Sequence, residues 1–135
     1  MDTKHRILLI DDDKNFTETF SIILEDEGYT TDVAGSSEEA LAKLEDEFYA
    51  LIIIDIGLPG MDGLELITKI NKTDPDMRKI ILTGSPSMDH VKTALKRGAH
   101  DYLTKPVQLA ELKETIKTQL EVLESELKEK YKTLA

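Results

Sequence analysis

The sequence predicts a doubly wound α/β fold, a five-stranded parallel sheet in the order 2-1-3-4-5 with helices on both faces. Three observations carry that prediction. Short apolar runs alternate with amphipathic segments along the whole chain. Several runs are apolar throughout, as strands buried on both faces must be. Five β–α units in series also need right-handed helical crossovers between parallel neighbours. The 135 residues suffice for one domain with a substantial core and are too few for an eight-stranded barrel.

The elements follow in order. "RILLI" (6–10) is the first strand. A helix over 14–27 places Phe16, Phe20, Ile23 and Leu24 on one stripe, and Gly28 stops it. "YTTDVA" (29–34) is the second strand, and the next helix opens with Ser36 and Glu39 at capping-box spacing, turning Ala40, Leu41 and Leu44 inward. "ALIII" (50–54) is the third strand; "DGLELITKI" then brings Leu64, Ile67 and Ile70 to one side and ends before Asp74-Pro75. "KIILT" (79–83) reads as a continuously apolar fourth strand. The helix after it groups Val91, Ala94 and Leu95 and stops at Gly98. "HDYLT" (100–104) is the fifth strand, and a last helix runs from near Gln108 almost to the C-terminus.

Composition narrows the function. Hydrophobic residues make up 40% and charged residues 33%, a globular balance. The net charge of −10 and pI near 4.7 repel nucleic-acid phosphates and anionic membranes, so neither is expected as a direct partner. The absence of cysteine excludes disulfides and thiolate metal sites and fits a cytoplasmic location. No stretch approaches the roughly 18 apolar residues of a membrane span, and no signal-peptide pattern opens the chain.

In an open parallel sheet, ligands collect at the carboxyl ends of the strands. Asp11 and Asp12 follow the first strand, Asp55 the third, Thr83 the fourth, and Lys105-Pro106 the fifth. Adjacency of strands one and three brings Asp11, Asp12 and Asp55 into one acidic pocket. Such a cluster needs a cationic partner to stay ionised; its oxygen-only donors suit a hard cation, Mg²⁺ better than a full Ca²⁺ cage. The plainer alternative is that Asp11–Asp13 cap the following helix, and Asp13 is expected to do only that. Asp55, Thr83 and Lys105 on the same edge favour chemistry. Asp55 can attack phosphorus, while Lys105 and the Thr83 hydroxyl can bind the remaining phosphoryl oxygens. His5, His90 and His100 read as isolated surface residues with no metal or relay spacing.

"ILLIDDD", "LIIIDIGLPGMDGLELI", "IILTG" and "GAHDYLTKP", in that order, resemble the receiver domain of two-component response regulators over about residues 4–121. The resemblance implies the flavodoxin-like fold of the chemotaxis-regulator superfamily. It implies a phospho-acceptor at Asp55. Mg²⁺ would be bound by Asp12 and Asp55, by Asp11 through water, and by the backbone carbonyl of Gly57. Thr83 looks like the switch hydroxyl, Lys105 the phosphoryl-sensing lysine, and Tyr102 the aromatic whose rotamer reports the state. For Tyr102 the ordinary alternative is half-buried packing with a wet hydroxyl. The Lys105–Pro106 bond looks like the family's cis peptide. The implied function is a phospho-accepting signalling switch of a two-component phosphorelay. A sensor histidine kinase or phosphotransfer protein would load it, and a changed binding face would address a downstream partner. It would not be an enzyme beyond self-phosphorylation from small donors and self-dephosphorylation. Gly84 stands where alanine is frequent and Val107 where phenylalanine is frequent; neither touches the acidic site.

Two other classes share part of this pattern. A Mg²⁺-dependent phosphohydrolase of the haloacid dehalogenase type also uses a strand-end aspartate. It requires a second aspartate two residues on, where Gly57 stands, and no neighbouring residue supplies a general acid. A flavin carrier needs a Ser/Thr/Gly-rich loop after the first strand, where this chain is acidic.

The receiver is set at 1–121, with 122–135 as an extension of the last helix, a coiled coil or linker. Leu109, Leu112, Ile116, Leu120, Leu123, Leu127, Tyr131 and Leu134 form an eleven-residue repeat. At 1.5 Å per residue this helix is about 40 Å long, more than the sheet can cover. Leu123, Leu127, Tyr131 and Leu134 are therefore expected to lack a core of their own and to support a two-fold homodimer.

Overall fold

The computed structural model describes residues 6–84 and 88–132. Five strands alternate with five helices: β1 (Arg6–Ile10), α1 (Lys14–Asp26), β2 (Thr30–Ala34), α2 (Ser37–Asp46), β3 (Leu51–Asp55), α3 (Gly63–Thr73), β4 (Arg78–Thr83), α4 (Met88–Arg97), β5 (Asp101–Thr104) and α5 (Leu109–Lys132). All pairings are parallel, in the order β2-β1-β3-β4-β5. This is the flavodoxin-like arrangement expected from the alternating pattern. Element ends move by a residue or two; Tyr29, expected in β2, instead has its N–H on the Leu24 carbonyl, closing the turn after α1.

Strand alternation splits the core between the two faces. Leu8, Ile10, Ile52, Ile54 and Ile81 pack with Ala40, Leu66, Ile67, Ile70 and Ala94 beneath α2, α3 and α4. Ile7, Leu9, Leu51, Ile53, Ile80 and Leu82 face Leu24, Leu112 and Ile116 of α1 and α5. Helix starts are capped as their side chains dictate. The Ser36 hydroxyl accepts the Glu39 N–H at 3.1 Å, and the Glu39 carboxylate takes the Gly35 N–H.

Four expectations are corrected. β4 is buried throughout yet begins with Arg78 and Lys79, the latter 0% exposed. Lys79 Nζ donates to the carbonyls of Met77 and Asp74 at 2.7 and 2.9 Å, so a charge is tolerated where apolar residues were expected. Burial, with the Arg78 charge beside it, pushes its pKa down to about 8. Leu95 is 42% exposed while Val91 and Ala94 are buried, because it lies across Val91 from Ala94, on the rim of α4. His100 is no isolated surface residue: half-buried, its Nδ1 accepts the Lys79 backbone N–H at 3.1 Å. His90 is exposed as expected, and His5 lies outside the described residues.

The fourth correction concerns α5. Its second half does not lack a core, since Leu123 is 5% exposed. Arg78 donates to Gln119 at 2.9 Å and to Glu126 at 3.2 Å, and Lys130 pairs with Asp76 at 2.9 Å. The helix thus continues past the sheet along the residues that enter β3 and β4. Leu127 is half-buried there and Tyr131 is 61% exposed; Leu134 lies outside the described residues.

Candidate functional site

Strand register builds the site. Ile10 sits beside Ile54, so the residues that follow, Asp11 and Asp55, leave neighbouring strands at one level. Asp55 pairs with Leu82 in β4 and Thr83 with Thr104 in β5. The Lys105 N–H donates to the Thr83 carbonyl at 2.8 Å, which seats Lys105 at the same edge.

The loops there are held by their own side chains. Asp13 is the N-cap of α1, its Oδ1 accepting from the N–H groups of Asn15 and Phe16, as expected for it. Asp11 Oδ1 accepts the Asp13 N–H at 3.0 Å, and Asp55 Oδ1 accepts the Gly57 N–H at 2.9 Å. Gly63 fixes the loop after Asp55. A Cβ there would stand 2.6 Å from Ile56 Cα, so only glycine lets α3 begin this close to β3. The Ser37 hydroxyl of α2 adds a 2.6 Å bond to the Met61 carbonyl in the same loop.

Oxygens of Asp11, Asp12 and Asp55 lie within 4.8 Å of one another. Asp11 is buried, Asp12 exposed and Asp55 in between. Lys105 Nζ bridges two of them, 2.7 Å from Asp11 Oδ2 and 3.1 Å from Asp55 Oδ2. Burial raises the Asp11 pKa, and the Lys105 contact only partly offsets it. Burial opposes the Lys105 charge as well, but its bonds to Asp11 and Asp55 outweigh that and hold its pKa above the usual lysine value. The Phe16 ring stands 5.1 Å from the same ammonium.

Beside the carboxylates opens a cavity of about 310 Å³ lined by Asp55, Gly57, Thr83, Gly84, Asp62 and His90, among others. Asp62 and His90 were not placed there from sequence; only the α3 and α4 crossovers bring them in. Asp62 is committed to capping α3 through the Glu65 N–H at 2.9 Å. Tyr102 is 38% exposed on β5, and the Lys105–Pro106 peptide bond is cis. The donor set is all oxygen and anionic, with room beside it, and fits a small hard cation.

Residues 7–117 match the response regulator receiver domain family. The chain is 38% identical over 112 residues to the transcriptional regulatory protein PmrA of Pectobacterium parmentieri, covering 83% of this chain and 50% of that one. It is 39% identical over 108 residues to an uncharacterised 14.6 kDa protein of Leptolyngbya boryana, covering 78% and 82%. Among solved structures, a CheY-like receiver domain from Methanospirillum hungatei superposes with a TM-score of 0.87 at 43% identity, covering 90% of this chain and 97% of that one. The chain spans about half or less of the length of several curated relatives it matches.

Proposed function

The chain belongs to the response regulator receiver domain family, and on that premise we propose that Asp55 is its phospho-acceptor. The observation that carries the reading is the Lys105 ammonium lying between Asp11 and Asp55 within the three-carboxylate cluster. Asp55 is a strand-end carboxylate beside an open cavity. One of its oxygens attacks phosphorus of a phosphohistidine or a small acyl phosphate. The bond from phosphorus to the leaving nitrogen or oxygen breaks, leaving an acyl phosphate on Asp55. Lys105 then exchanges its bond to Asp55 Oδ2 for one to a phosphoryl oxygen, and the Thr83 hydroxyl serves a second.

Asp11, Asp12, Asp55 and the Gly57 carbonyl would hold Mg²⁺, with Asp11 acting through water. The ion supplies neutralisation of charge on the phosphoryl oxygens. Movement of Thr83 and Lys105 toward the phosphoryl group is read out at Tyr102, on the neighbouring strand. A sensor histidine kinase or phosphotransfer protein loads the site in the cytoplasm, and the altered face engages an output partner. The transcriptional regulators among the relatives are longer than this chain, which supports an output module reached through a receiver (1–121) and the segment after it (122–135), described as helix to Lys132. The exposed Tyr131 and half-buried Leu127 and Leu120 of α5 support a homodimer through that helix.

The test is uptake of one phosphoryl group from acetyl phosphate with Mg²⁺, read by intact mass. Asp55→Asn is expected to take up none; an undiminished adduct on that variant defeats the assignment.

A further inference from the structure

We infer that Phe16 is a positioning residue for phosphoryl transfer: its ring holds the Lys105 ammonium at the acidic cluster. The inference rests on the reading of Asp55 as acceptor. Lys105 has a long, flexible stem, and its side chain is 28% exposed, so the backbone alone does not decide where its charge sits. Carboxylates meet the ammonium at 2.7 Å (Asp11) and 3.1 Å (Asp55), and the Phe16 ring meets it at 5.1 Å. That is within the range over which an aromatic face attracts a cation.

The ring is itself held. Phe20, one turn along α1, stacks on it at a centroid distance of 4.5 Å, tilted by 35°. The Phe16 backbone N–H donates to the Asp13 carboxylate at 3.2 Å, the cap that follows the acidic pair. One helix start therefore fixes both the carboxylate loop and the aromatic surface against which the lysine rests. With the ring in place, Lys105 loses rotamers that point to solvent. Its charge waits where phosphoryl oxygens arrive, and little reorganisation is needed during transfer. Read as core alone, Phe16 would be replaceable by any apolar side chain of similar size.

A double-mutant cycle separates the two roles. Uptake from acetyl phosphate with Mg²⁺ is followed by quenched intact mass for the wild type, Phe16→Leu, Phe16→Tyr, Lys105→Met and the Phe16→Leu/Lys105→Met pair. Leucine keeps an apolar contact and lacks the π face. Phe16→Leu is expected to slow uptake about two- to fivefold, Phe16→Tyr to restore it, and Phe16→Leu to change nothing further once Lys105 is methionine. Should the leucine variant unfold in a thermal melt, Phe16→Met serves the same comparison. Wild-type rates for the leucine variant, or equal slowing with and without Lys105, overturn the inference while leaving Asp55 as acceptor. An adduct on Asp55→Asn instead removes the acceptor reading beneath it.

Discussion

His100→Asn is expected to make the fold less sensitive to acid by about 2 kcal/mol between pH 7 and pH 5. His100 immediately precedes β5, with its backbone N–H on the Lys79 carbonyl at 2.8 Å and its Nδ1 accepting the Lys79 N–H at 3.1 Å. Burial first, then the charges of Arg78 and Lys79, push the imidazole from 6.5 down to about 4. A proton on Nδ1 would set one donor against another and add a cation beside two. The folded pKa is the depressed one, so this contribution is complete above about 6.5 and is lost as pH falls towards 4. The whole gap corresponds to about 3 kcal/mol, of which about 2 fall between pH 7 and pH 5. An asparagine carbonyl can accept the Lys79 N–H and does not titrate. Urea unfolding followed by circular dichroism at both pH values, on both proteins, isolates the term, because the carboxylates titrate alike in each. Identical pH dependence for wild type and variant would show that the His100 imidazole is not held neutral by the fold.

Three further outcomes are expected. Millimolar Mg²⁺ should raise the melting temperature, by about 2.7 kcal/mol of added stability at a hundredfold excess over Kd, and Asp12→Ala should lose most of the shift; equal shifts would place the ion elsewhere. Gly98→Ala should destabilise by about 1–3 kcal/mol in chemical denaturation, since φ is +121° and the new Cβ would stand 2.5 Å from the Asn71 side chain; an unchanged midpoint would contradict that packing. Light scattering at roughly tens of micromolar should find the full chain dimeric and a version ending at Gln119 monomeric; two monomers would end the dimer proposal.

Sheet order, helix placement and the acidic edge were legible because they depend on local period and on one topological rule. Runs such as "ALIII" announce a doubly buried strand, and Asp11, Asp12 and Asp55 then converge by adjacency of β1 and β3. What escaped depends on partners distant in sequence. Lys79 is buried because the loop carbonyls of Asp74 and Met77 turn back onto it, which no periodicity records. The clamp of Arg78 on Gln119 and Glu126 spans about forty residues or more, so the length of α5 alone wrongly suggested an unsupported tail. Phe16 was legible as part of an apolar stripe, but its place at Lys105 required the lysine that follows β5 to reach across the strand ends to the start of α1.

On the proposed reading a phosphoryl group rests on Asp55 rather than on another carboxylate of the cluster. Borohydride reduction of the acetyl phosphate-treated protein converts an aspartyl phosphate to homoserine, which fragment mass spectrometry assigns to one residue. Homoserine at position 55, absent when Mg²⁺ is chelated beforehand, is the expected result; homoserine at position 11, 12 or 13 with Asp55 intact would make another carboxylate the acceptor.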